Sequence, residues 1–164
     1  MDEFASREYP IREDMRFQDR LWRRERAAWL VLILLIVVGL SGALGVGPLS
    51  WKKASAGPLT VAYERFQRAT RLSKFSFDVA EHGGSDVRLH LNAAFQKNFE
   101  ISSIQPQPSH SAAGTDGIDL TFARKPGHAA GIVIWAHSRR YGVSHLTASA
   151  DGGEPANFWV LVYP

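Results

Sequence analysis

The pattern of apolar and polar positions changes character twice along the 164 residues. Up to Arg26 the chain is charged and holds almost no aliphatic run. Residues 27–46 read AAWLVLILLIVVGLSGALGV, without a single charge. From Leu59 onward the apolar positions recur with a period of two. Leu59, Val61 and Tyr63 alternate with Thr60, Ala62 and Glu64, and similar runs cover 75–79, 87–91, 118–122, 131–136, 143–150 and 158–163. Successive side chains of a strand point to opposite faces, so each run predicts a strand with one buried face. Gly83-Gly84, the 114–117 segment, Pro126-Gly127 and Asp151-Gly152-Gly153 supply the turns between them.

Seven or eight short strands with such turns predict a mainly β domain, an antiparallel β-sandwich of Ig-like architecture. The chain has no cysteine, so the Cys–Trp–Cys hallmark of true Ig domains is missing. The final run, Phe158-Trp-Val-Leu-Val-Tyr163, is apolar at both parities. That predicts a central strand buried on both sides, with an exposed aromatic patch as the alternative. Pro106-Gln-Pro108 and the segment 109–114 read as the longest loop.

The uncharged run has a different physical logic. Twenty residues at about 1.5 Å each make a helix of roughly 30 Å, the thickness of a bilayer's hydrocarbon core. In lipid each backbone amide must bond within its own segment, which imposes the helix. Trp22 and Trp29 at one flank and Trp51 at the other suit the headgroup level. Arg20, Arg23, Arg24 and Arg26 crowd the N-terminal side, whereas Lys52 and Lys53 follow on the other. This bias predicts a single-pass protein of a bacterial inner membrane, N-terminus cytoplasmic and C-terminal domain periplasmic. Ala54-Ser55-Ala56 resembles a cleavage site, but the apolar run is too long for a signal peptide, which favours a signal anchor. The organisation expected is therefore a charged, partly helical cytoplasmic segment (1–26), a transmembrane helix (27–46), a linker (47–58) and an extracytoplasmic β-domain (59–164). Gly39, Ala43 and Gly47 repeat at four-residue spacing, a pattern that lets two helices approach closely in lipid. Lipid is the expected partner of the anchor; self-association or another integral membrane protein is the partner a helix contact would imply.

Composition mainly excludes. The lack of cysteine removes disulfides, thiolate metal sites and cysteine nucleophiles. A net charge of +3, without a clustered basic stripe, gives no reason to expect nucleic acid. The six histidines show neither the i, i+4 spacing of a zincin nor His-x-His. Asp116 to Asp119 and Asp151 to Glu154 look like acidic turns rather than calcium loops. No nucleophile-elbow, Walker or dinucleotide motif occurs, and Ser138 beside His137 would face the opposite way on a strand. No enzyme, cofactor or metal is expected. Arg139-Arg140-Tyr141 is the one compact basic-aromatic cluster away from the membrane flanks, placed by the pattern in a hairpin turn. A solvated turn and a contact with anions or lipid are its two readings.

Several short motifs carry a resemblance. Arg20-Leu-Trp-Arg-Arg-Glu-Arg26, Gly47-Pro48-Leu49-Ser50, Val61-Ala-Tyr-Glu-Arg-Phe66, Ile104-Gln-Pro106-Gln-Pro108 and Val162-Tyr163-Pro164 resemble a family of uncharacterised bacterial single-pass membrane proteins. Members are often encoded beside YetF-like membrane proteins. The resemblance implies an accessory subunit without catalytic residues. The expected function is a non-catalytic accessory protein presenting its β-domain to a membrane-protein partner, the alternative being a stand-alone envelope module that binds glycan, lipid or peptide.

Overall fold

The computed structural model of the chain describes residues 15–40, 50–80, 84–124 and 127–164. They separate into two compact units, Met1–Gly39 and Leu40–Pro164. In the first, helix α1 (Met15–Leu40) runs unbroken from the basic segment into the apolar run. Leu30 to Leu40 present their side chains to the surroundings almost throughout, Leu40 being 80% exposed. Among the described residues no helix is long and apolar enough to cross a membrane. The uncharged part of α1, residues 27–40, accounts for roughly 21 Å at 1.5 Å per residue. The rest of the expected span, with Ala43 and Gly47, lies outside the described residues.

The second unit is mainly β. Strands β1 (Trp51–Ala56), β2 (Leu59–Glu64), β4 (Ser73–Val79), β9 (Ala130–Ser138) and β6 (Phe99–Gln105) form a five-stranded sheet in the order β1-β2-β4-β9-β6. Strands β3 (Phe66–Arg68), β11 (Ala156–Tyr163), β10 (Gly142–Ala150), β5 (Asp86–Asn92), β8 (Gly117–Ala123) and β7 (His110–Ala113) form a second, in the order β3-β11-β10-β5-β8-β7. Both sheets send alternate side chains into one core, the arrangement of a β-sandwich. Phe75 is central to it, with ring centroids 5.2 Å from Phe95, 5.3 Å from Phe99 and 6.4 Å from Phe158. Phe95 comes from helix α2 (Ala93–Asn98), a single turn started by Asn92, whose Oδ1 accepts the Phe95 N–H at 3.0 Å.

The strand segments expected from alternation all form, and four further strands appear. The segment expected to be a linker, 47–58, contains β1, which pairs with β2 from Trp51↔Glu64 to Ala56↔Leu59. Its Trp-Lys-Lys-Ala-Ser-Ala sequence shows no apolar alternation because this edge strand buries no position fully and half-buries Lys52, Ala54 and Ala56. Strand β7 lies in the segment expected as a loop and is exposed at all four positions. In β6 the pairing with β9 slips between Ile101 and Ser103, and this bulge breaks the period. The second sheet is mixed rather than purely antiparallel, since β3 joins β11 in parallel.

Two further expectations are corrected. Strand β11 is not buried on both sides: Phe158, Val160 and Val162 enter the core, whereas Trp159, Leu161 and Tyr163 are only half-buried on the outer face. There the Arg65 guanidinium lies 4.5 Å from the Trp159 ring centroid, with the Phe66 ring 6.3 Å away, edge-on. The Arg139–Tyr141 segment is no hairpin, because β9 and β10 belong to different sheets and the chain crosses between layers there. Gly117 is obligatory at the start of β8. A Cβ on it would lie 1.9 Å from the Leu91 carbonyl oxygen, and its φ of 144° suits glycine.

Candidate functional site

Three adjacent strands of the six-stranded sheet build the best-defined polar site. Core residues Val87, Leu89 and Leu91 fix which face of β5 is inward, so Asp86, Arg88 and His90 must face out. Register then sets Ser149 of β10 beside His90 on one side and Asp119 of β8 beside it on the other. Thr121 stands opposite Arg88 in the same way. The turn after β10 sets Asp151 beside Arg88. Its backbone N–H donates to the Arg88 carbonyl, and the Arg88 N–H donates to Asp151 Oδ1, both at 2.8 Å. Asp151 holds φ at 52°, a left-handed conformation that aspartate tolerates better than most residues.

Together these residues and Gly152 line an open cavity of about 480 Å³. Asp119 Oδ1 lies 2.8 Å from His90 Nδ1, which fixes the ring and leaves Nε2 for another partner. Three carboxylates (Asp86, Asp119, Asp151) face one guanidinium (Arg88), a formal balance of −2 with His90 neutral. The lining therefore offers acceptors, hydroxyls and one strong cationic donor. Ser149, His90 and Asp119 stand in one lateral row, yet Ser149 Oγ makes no hydrogen bond to the imidazole. The row is not a nucleophile–base pair as it stands.

The other chemistry-bearing residues are dispersed. His145 faces outward on β10 opposite Trp159, four residues from Ser149 and so about 13 Å away along the strand. His137 lies on the other sheet, opposite Glu100. His82 falls outside the described residues. Ser138 Oγ is engaged by the Arg140 carbonyl at 2.7 Å. Among the described residues no three His, Asp or Glu side chains come together in a way that could hold a metal ion. A second open cavity of about 520 Å³ adjoins the β6 bulge, between Ile101, Ser102, Ser103, Ile104, Gln107 and Pro108.

The residues expected at a membrane interface lie where the chain order puts them. Arg20, Trp22, Arg23, Arg24, Arg26 and Trp29 are exposed on α1, and the Arg26 guanidinium sits 4.6 Å from the Trp22 ring centroid. Trp51 opens β1 and is 44% exposed. Gly39 has no atom within 4 Å of where its Cβ would be. The cavity is not visible in the sequence, where Asp119 and Asp151 have the pattern of turn residues. The available signal was Asp86, Arg88 and His90, three polar residues sharing one parity of a strand. Compared with known proteins, the chain matches no family model and no curated relative.

Proposed function

We propose that the chain is a membrane-anchored, non-catalytic binding protein of a bacterial inner membrane. In this reading residues 27–46 span the bilayer, the N-terminus is cytoplasmic, and the Ig-like β-domain lies outside. The anchor is supported by the uncharged run, its tryptophans and the arginines before it. The binding role rests on one observation, the cavity between Arg88, His90, Asp119 and Asp151. Its size falls in the range of small-ligand sites. Its excess of carboxylates disfavours an anion, and its polarity disfavours an acyl chain. What fits is a neutral, hydroxyl-rich ligand, since each hydroxyl both donates to a carboxylate and accepts from Arg88 or a Ser or Thr hydroxyl. A glycan segment of the envelope has that chemistry.

Titration calorimetry of the detergent-purified chain with N-acetylglucosamine oligomers and other neutral oligosaccharides tests this. Saturable binding that is lost in Arg88→Gln supports the reading; binding indifferent to that substitution removes the cavity from it. Anchorage is tested separately by reporter fusions. A cytoplasm-specific fluorophore should light up before Met1 and stay dark after Pro164. A second reading is an accessory subunit of another membrane protein, YetF-like as the resemblance implies, or a self-associating anchor. The exposed apolar side chains of α1 and the open space at Gly39 favour it. Crosslinking in native membranes distinguishes it by recovering a stoichiometric partner.

A further inference from the structure

The two ends of the sandwich differ in charge. The register places Trp51, Glu64, Ser73, Ser138 and Phe99 at one end of the five-stranded sheet. Gly142, Tyr163 and Arg68 mark the same end of the other sheet, tied in by the short crossings from Glu64 to Phe66 and from Ser138 to Gly142 and by Asn98 Nδ2 donating to Ser144 Oγ. This near end, where the chain arrives from α1, exposes Arg68, Arg71, Lys97 and Arg140. None of these four has an acidic partner among the described residues; Arg139 alone is paired, with Glu100 at 3.5 Å. Exposed apolar surface lies among them: Tyr141 is 70%, Val143 58% and Trp51 44% exposed. The far end shows the opposite balance among the described residues. Asp86, Asp151 and Glu154 are exposed there against the exposed Arg88, while Arg124 is buried, its guanidinium donating to the Gly84 and Ala80 carbonyls.

We infer that the near end is a docking surface for anionic lipid headgroups, holding the domain down on the bilayer with the polar cavity facing away. The inference rests on the anchored reading above. If the span ends at Val46, only five Cα steps separate it from Trp51, about 18 Å of fully extended chain. Chain length alone then keeps the near end within reach of the headgroups. Guanidinium groups pair with lipid phosphates bidentately, and Trp and Tyr rings settle at the headgroup level. A basic, aromatic end on a short tether has the chemistry of the surface it must face. The ligand cavity, lined by Asp86 and Asp151 of the far end, is left open to solvent.

The cysteine-free chain permits a direct test. Full-length protein carrying Thr70→Cys, in the turn between Arg68 and Arg71, is labelled with a polarity-sensitive fluorophore. It is reconstituted into vesicles of phosphatidylcholine alone or mixed with phosphatidylglycerol. Emission from Thr70→Cys should shift to the blue on the anionic vesicles and be quenched by a headgroup-linked quencher. High salt should reverse both effects, and a label at Glu154→Cys on the far end should show neither. Each Arg replaced by Gln among Arg68, Arg71 and Arg140 should weaken docking about fivefold. A Thr70 label that responds identically to both lipids, in protein that floats with both vesicles, overturns the docking and leaves the anchor intact; the patch would then belong to an acidic protein partner. Protein that floats with neither overturns the anchor and the docking together.

Discussion

The two sheets share one core but carry different chemistry on their outer faces. On the five-stranded sheet the outward positions mix small residues such as Thr60, Ala62, Ser76 and Val133 with scattered charged or aromatic ones, Glu64, Asp78, His137 and Trp135, the last covered by Lys74 at 5.6 Å from its ring centroid. On the six-stranded sheet they form a graded strip, from Asp119, His90 and Arg88 at one end to Trp159 and Leu161 at the other. The inner faces cannot differ in this way. The strands that line the core must fill one shared space, mostly with Phe, Leu, Ile, Val or Ala, because an unfilled cavity or an unpaired polar group costs several kcal/mol. Outward positions bear no such constraint, so a difference between them points to use rather than to folding.

The largest expected effect tests the shared half of that contrast. Phe75→Ala removes a fully buried ring that touches Phe95, Phe99 and Phe158. It should cost about 3–5 kcal/mol and lower the thermal midpoint of the whole β-domain in a single transition. Loss of only one sheet's signals, followed by hydrogen exchange, would show that the layers do not share a core. Gly117→Ala comes next and acts on one sheet. Its Cβ collides with the β5 backbone at Leu91, so β8 must withdraw from β5 by more than a side-chain adjustment. The penalty should exceed about 1 kcal/mol. Ligand binding at the cavity should fall with it, because Asp119 and Thr121 ride on β8. Asn92→Ala loses the hydrogen bond that starts α2 and should cost about 1 kcal/mol by chemical denaturation, without altering the cavity.

How much of this was legible in the sequence depends on which force placed each residue. Strands β2, β4, β5, β8, β9 and β10 are written in alternation because burial on one face selects alternate apolar residues. Strands β1, β3, β6 and β7 are edges or carry a bulge, where backbone pairing does the work and side chains are free to be Lys, Ser, Gln or His. The outer positions of β11 are apolar without being buried. Trp159 and Leu161 suggest a second buried face, but Arg65, Phe66 and the edge strand β3 cover them only in part. The cavity was illegible for another reason. Its polar row exists only once register aligns Ser149, His90 and Asp119 from strands far apart in the chain, and register is not a local property. The apolar run of 27–46 needs no neighbours to be read, because its lack of charge is written in consecutive residues.

The smallest expected change in stability sharpens the contrast most. Asp119→Asn keeps the shape of the side chain and replaces a carboxylate that is half exposed, as is its partner His90 to a lesser degree. Exposed pairs of this kind contribute at most about 1 kcal/mol, so the denaturation midpoint should barely move. On the opposite sheet Ser76→Ala should be equally silent for stability, being a single outward hydroxyl at a half-buried position with no hydrogen bond among the described residues. The two substitutions should part company on binding. A charged acceptor bonds a ligand hydroxyl roughly twice as strongly as a neutral amide, and Asn cannot hold the His90 ring as firmly. Oligosaccharide affinity should drop about tenfold in Asp119→Asn and stay unchanged in Ser76→Ala. Equal affinity in both variants, measured by the same calorimetric titration, would mean that the outer face of the six-stranded sheet carries its polar strip without using it.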